Sequence, residues 1–115
     1  MADSCLFCRI SKGELPAEIV YEADDLIAFR DIDPKAPTHI LIIPRKHIAS
    51  VNEIEEVDTE VVGRLYLTAK EIAKEEGIDE SGYRLVINNG PAAGQSVDHI
   101  HLHLIGGRDL TWPPG

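Results

Sequence analysis

Two periodicities alternate along the chain. Over residues 59–76, Val61, Val62, Leu65, Ala69, Ile72 and Ala73 recur at the spacing of one helical face, and Glu76 is the one polar residue on it. Asp58 is placed to cap the start of this helix and Gly77 to stop its end. Elsewhere the apolar stretches are short and bounded by turn residues, which predicts strands over residues 18–21, 26–30, 39–44, 83–88 and 97–105. The acidic turn Ala23-Asp24-Asp25 joins the first two. Asp33-Pro34-Lys35-Ala36-Pro37 is a rigid loop, because two prolines fix two φ angles and remove two donors. Residues 5–12 form a short helical turn closed by Gly13. Strands, one long helix, then strands joined by short turns predict an α+β fold with an antiparallel sheet, one domain over residues 1–115.

Composition narrows the function classes. With 43% hydrophobic but only 5% aromatic residues, the core is expected to be Ile, Leu, Val and Ala. The longest apolar run, Ile40-Leu41-Ile42-Ile43, is far short of the ~20 residues of a membrane span, so no membrane partner is expected. The opening Asp3-Ser4-Cys5 has no basic segment followed by an apolar one, and a cytoplasmic protein is expected. The net charge of −9, with no basic cluster beyond Arg45-Lys46-His47, argues against nucleic acid. A small anion remains open, since backbone N–H groups and imidazoles can hold one phosphate locally.

Three of the five histidines, His99, His101 and His103, alternate along the last predicted strand. Side chains on a strand change face at every residue, so the three share one face while Ile100, Leu102 and Leu104 bury the other. One metal cannot take all three, because positions i and i+4 stand ~13 Å apart at 3.3 Å per residue. At least one imidazole is left for acid–base or nucleophilic work near neutral pH. The loop before this strand, Asn88-Asn89-Gly90-Pro91-Ala92-Ala93-Gly94-Gln95-Ser96, suits a phosphate: its glycines admit close approach, and Gln95 and Ser96 add donors. Cys5-Leu6-Phe7-Cys8 has the spacing of half a tetrahedral zinc site. Redox chemistry and two simply buried thiols are the competing readings. No βαβ unit accompanies the pair, and a disulfide is not expected in a cytoplasmic chain.

Gly94-Gln95-Ser96-Val97 followed by His99-Ile100-His101-Leu102-His103-Leu104-Ile105 resembles the signature of the histidine triad superfamily. Pro37-Thr38-His39-Ile40-Leu41-Ile42-Ile43-Pro44-Arg45-Lys46-His47 is similar to a second block of that family. Trp112-Pro113-Pro114-Gly115 resembles the ending of its Hint branch, the nucleoside phosphoramidases. The resemblance spans Cys5 to Gly115. It implies an α+β meander that dimerises into a continuous sheet of about ten strands. It also implies hydrolysis of purine nucleoside 5′-phosphoramidates, such as an adenylate (AMP) amide, at the P–N bond. By that resemblance His101 is the nucleophile, with no cofactor for catalysis, His103 and Ser96 contact the phosphate and leaving group, and His39 supports the triad headed by His99. Asn88 and Gly94 line the phosphate pocket with Gln95 beside them, Asp31 holds the ribose hydroxyls, and Phe29, Ile32 and Leu41 surround base and sugar. Trp112 is expected to border the leaving group across a homodimer. A structural zinc would be held by Cys5, Cys8, His47 and His99. Relatives with the same motif cleave dinucleoside polyphosphates or transfer nucleotides, and a nucleotide-binding scaffold with incidental turnover is a further alternative.

Overall fold

The computed structural model describes residues 4–115; Asp3, part of the opening read above, lies outside them. In chain order the elements are α1 (Leu6–Ser11), β1 (Ile19–Glu22), β2 (Leu26–Arg30), β3 (Thr38–Pro44), α2 (Thr59–Glu75), β4 (Tyr83–Val86) and β5 (Leu102–Gly106). Single turns of 3-10 helix lie at Val51–Glu53, Glu56–Asp58 and Pro91–Ala93. The strands form one antiparallel sheet in the order β1-β2-β3-β5-β4.

Alternation along β2 and β3 divides the core in two. Leu26, Ala28, Ile40 and Ile42 face α2, where Leu65, Ala69, Ile72 and Ala73 meet them together with Leu102 and Leu104 of β5. Ile27, Phe29, Leu41 and Ile43 point to the opposite face, where Cys5, Phe7, Cys8 and Ile10 cover them. All seven residues of β3 are therefore buried, as a strand packed on both faces must be. Glu76, the polar residue on the helical face, has its own reason. Arg30 donates to both of its carboxylate oxygens at 3.0 and 2.9 Å, which ties β2 to the end of α2. Gly77, at φ +74°, ends the helix in a left-handed conformation that other residues adopt at a cost.

Three local expectations are corrected. Asp58 precedes α2 but does not cap it; its buried carboxylate accepts from the Glu55 N–H at 2.9 Å and from Lys46 Nζ at 2.6 Å. The last strand does not cover residues 97–105 but begins at Leu102. Its pairing with β3 ends at Ile42↔Leu102, because the next position on β3 that could bond is Pro44. A proline has no N–H to give, and the carbonyl of Pro44 is taken by the His99 ring. The Ile100 N–H donates instead to Ile48 O at 2.7 Å. β4 likewise ends at Val86, opposite His103, and not at Asn88.

Leu65 is fully buried against the sheet, on the face away from the histidines. Leu65→Ala should cost about 2–5 kcal/mol of stability. Urea unfolding measures it, and a loss below about 1 kcal/mol would contradict the packing described.

Candidate active site and metal centre

The three alternating histidines divide between two sites. His103 lies on β5, and His101 stands just before it with its ring centroid 5.0 Å from that of His103. His99, fully buried, turns away toward His47, at 5.1 Å between ring centroids.

Backbone groups fix the tautomers of His99, His101 and His39, and His39 passes the preference on to His103. A backbone carbonyl can only accept, so His99 donates through Nε2–H to Pro44 O at 2.7 Å, and its Nδ1 keeps a lone pair. His101 donates through Nδ1–H to His99 O at 2.7 Å, which leaves the lone pair on its Nε2. A backbone amide can only donate, and Lys35 N–H gives to His39 Nδ1 at 3.0 Å. His39 therefore carries its proton on Nε2 and donates it to His103 Nδ1 at 2.9 Å. The His103 proton is thereby placed on Nε2. Among the described residues that Nε2 is a buried polar atom without a hydrogen-bond partner. A buried donor left unsatisfied costs about 1–3 kcal/mol, which a ligand oxygen would relieve.

Burial lowers the His39, His99 and His103 imidazoles and so favours their neutral forms. Burial pushes the His103 imidazole down to about 4, and the neighbouring His101 and His39 add to the effect. Burial also lowers His39, with Asp31 opposing it from 3.5 Å. Asp31, His39 and His103 bring three potential donors together. They do not suit a metal, because His39 Nδ1 already accepts a backbone N–H. A metal on its Nε2 would then require the ring to lose both protons.

His101 and His103 line a cavity of about 360 Å³, within the range of small-molecule sites. Asp31, Ser96 and Arg30 also line it; the rest of the lining is mostly apolar, with Phe29 and Leu41 from the sheet and Val97 from the loop. Ile32 stands almost wholly exposed at the rim. Leu6, Phe7 and Ile10 of α1 and Leu15, Pro16 and Ala17 after it complete the wall, and the sequence reading did not single them out. The helical spacing of Leu6, Phe7 and Ile10 was the available signal. Phe7 meets His101 edge-on at 5.0 Å and Phe29 at 5.4 Å.

Other expected residues are placed elsewhere. Gln95 does not present its amide to the cavity: Nε2 donates to Ala49 O and Val97 O, and Oε1 accepts from Gly90 N–H. It braces the loop in which Gly94 takes a left-handed φ of +83°. Asn88 and Gly94 are not among the lining residues. Trp112 is 82% exposed and off the cavity, in a tail whose Thr111 carbonyl accepts from Arg84 at 2.8 Å.

The second site is the group Cys5, Cys8, His47 and His99, whose ligand atoms all lie within 4.8 Å of one another. Cys5 Sγ and Cys8 Sγ stand 3.3 and 3.4 Å from His99 Nδ1, and Cys8 Sγ 3.3 Å from His47 Nδ1. Two thiols thus converge on one lone pair, which can accept from only one of them. A tetrahedral zinc resolves the conflict, since bonds of ~2.3 Å to sulfur and ~2.1 Å to nitrogen set S and N about 3.6 Å apart. The Cys8 N–H also donates to Cys5 Sγ at 3.3 Å. These four residues fit a structural zinc, and the two cysteines form no disulfide.

Long-range ¹⁵N correlation spectra should show Nε2–H tautomers for His39 and His103 and Nδ1–H for His101. The His103 ring should titrate near pH 4. An unfolded chain takes up that proton at about 6.5, so the stability from neutral His103 is complete above 6.5 and is lost as pH falls toward 4. His103→Gln should flatten this acid slope in urea melts; a His103 ring titrating near 6.5 would contradict the burial.

Comparison with known proteins agrees with this arrangement. The HIT domain model matches residues 12–110. The 14 kDa zinc-binding protein of Zea mays is 52% identical over 112 residues, 96% of this chain and 87% of that one. A HIT family hydrolase from Legionella pneumophila is 54% identical, with a TM-score of 0.96 over 97% of this chain and 100% of that one. A histidine triad nucleotide-binding protein from Candida albicans is 35% identical, with a TM-score of 0.83 over 96% of this chain and 83% of that one. With the fold, the histidines and the family model in agreement, the chain belongs to the HIT domain family.

Proposed function

We propose that this protein hydrolyses purine nucleoside 5′-phosphoramidates at the P–N bond, through a nucleotide held covalently on His101. The observation that carries the reading is the pair of opposite tautomers at the cavity: His101 with its Nε2 lone pair free, and His103 with an unpartnered Nε2–H. One can attack phosphorus while the other donates to a phosphate oxygen. The relatives from Legionella pneumophila and Candida albicans, a hydrolase and a nucleotide-binding protein by name, support the same chemistry.

The base packs among Leu6, Phe7, Ile10, Phe29 and Leu41, with Ile32 at the rim, and Asp31 accepts from the ribose hydroxyls. The loop backbone around Asn88 and Gly94 borders the phosphate, with Gln95 holding Ser96 in place. His101 Nε2 forms a bond to phosphorus as the P–N bond breaks. The departing nitrogen takes up a proton from solvent, with the Ser96 hydroxyl beside it, and leaves as a neutral amine. Water then displaces His101, adding its oxygen to phosphorus and returning the proton to solvent, so the two steps balance. Zinc at Cys5, Cys8, His47 and His99 supplies a structural tie and no step of the reaction; the zinc-binding relative of Zea mays supports that assignment.

His101→Ala should lower turnover of a fluorogenic adenosine phosphoramidate by several powers of ten while AMP binding survives. Acid-free rapid quenching of the wild type should trap nucleotide on the chain. A variant that keeps more than about a tenth of the rate would overturn the assignment. Faster cleavage of a dinucleoside polyphosphate than of the amidate would move the protein to another branch of the family.

Within this reading the protein works as a homodimer. One edge of β4 is unpaired in the sheet order, and Tyr66, Leu67 and Trp112 are exposed apolar side chains in search of cover. Trp112 borders the partner's leaving group. Sedimentation should give a dimer, and deleting residues 111–115 should change the ranking of amine leaving groups by kcat/KM with AMP affinity unaltered. A uniform slowing over large and small amines would reduce the tail to a structural role.

A further inference from the structure

The metal centre and the cavity share one short element. Cys5 caps the start of α1 and Cys8 lies within it, so two of the four metal donors are borne by this helix. Leu6 and Phe7, between those cysteines, and Ile10, one turn on, form a wall of the cavity. Phe7 stands between the two sites, its ring centroid 5.0 Å from that of His101 and 6.1 Å from that of His99.

Six residues are too few to hold a helix by their own hydrogen bonds, since isolated helices shorter than about 12 residues are marginal. Its position therefore depends on what anchors it. At the C-terminal end, Arg45 Nη1 donates to Ser11 O at 2.7 Å. Along its length Phe7 and Ile10 pack on Phe29, Leu41 and Ile43. At the N-terminal end the anchor is Cys5 and Cys8 against His47 and His99. A base seated on Leu6, Phe7 and Ile10 would hold the same helix at its cavity wall.

We propose that zinc at the Cys5–Cys8–His47–His99 centre and a purine nucleoside in the cavity bind with positive coupling, each raising the affinity for the other by ordering α1. This rests on the reading that the cavity takes purine nucleotides. The coupling is reciprocal by thermodynamic necessity, so both affinities change by one factor, expected to be about fivefold or more. The α1 wall is then a positioning device for the nucleotide, set by a metal that takes no part in the chemistry.

The test begins with calorimetry of AMP on zinc-loaded protein carrying about one zinc per chain. Absence of binding there overturns the nucleotide reading itself. With binding in hand, zinc affinity is measured by competition with a chromophoric chelator, with and without saturating AMP, and AMP affinity on loaded and metal-free chains. Adenosine, with no phosphate to hold zinc, is run in parallel. The expected result is an equal gain of about fivefold or more on both sides, for AMP and adenosine alike. Amide hydrogen exchange should quicken in residues 6–11 on metal removal, slow again with AMP, and hold steady in residues 38–44. Zinc affinity unchanged within twofold by AMP overturns the proposal. So does loss of the far-ultraviolet circular dichroism of the sheet in the metal-free chain, because coupling would then run through global unfolding.

Discussion

The bond from the His99 ring to the Pro44 carbonyl governs more of this molecule than any other single contact. It forms because Pro44 ends the useful pairing of β3, leaving a carbonyl that no strand claims. Once His99 donates there through Nε2, its other nitrogen must face the cysteines as a lone pair. The same residue holds His101 through its main-chain carbonyl, which settles where the His101 proton sits. The geometry of the metal centre and the tautomer of His101 thus descend from one proline at the end of a strand.

A parallel relay serves the other ring. The proline-bounded loop presents the Lys35 N–H to His39, and the proton preference passes through His39 to His103. Burial lowers both imidazoles, so these two rings offer oriented N–H dipoles in place of positive charge. With a net charge of −9 the protein has little long-range attraction for anions, and the cavity presents short, directed bonds and a mostly apolar wall.

That wall shows how two requirements were met with few residues. The second face of the sheet needs cover over Ile27, Phe29, Leu41 and Ile43, and α1 supplies it. Being short, α1 leaves open space beside Phe7 and Ile10, and this space is the cavity.

The sequence by itself determined whatever repeats locally. The long helix, the places of the strands, the alternation of the histidines and the cysteine spacing all follow from neighbours within a few residues. The residues of β2 and β3 form near-continuous apolar runs, so which of them face α2 and which face α1 came only from the folded sheet. What the sequence left undecided depended on closure of the sheet. It could not show that the strand over residues 97–105 would start at Leu102, or that Asp58 would pair with Lys46 instead of capping α2. It could not show that the amide of Gln95 would be used within its own loop, or that Leu6, Phe7 and Ile10 would wall the cavity. Nor could spacing alone separate His99 from His101 and His103. Its partners Cys5 and Pro44 lie 94 and 55 positions away, and only the folded sheet brings them to its two nitrogens. Periodicity reports which face a side chain takes; its hydrogen-bonding partner is chosen by what the tertiary structure has already placed opposite that face.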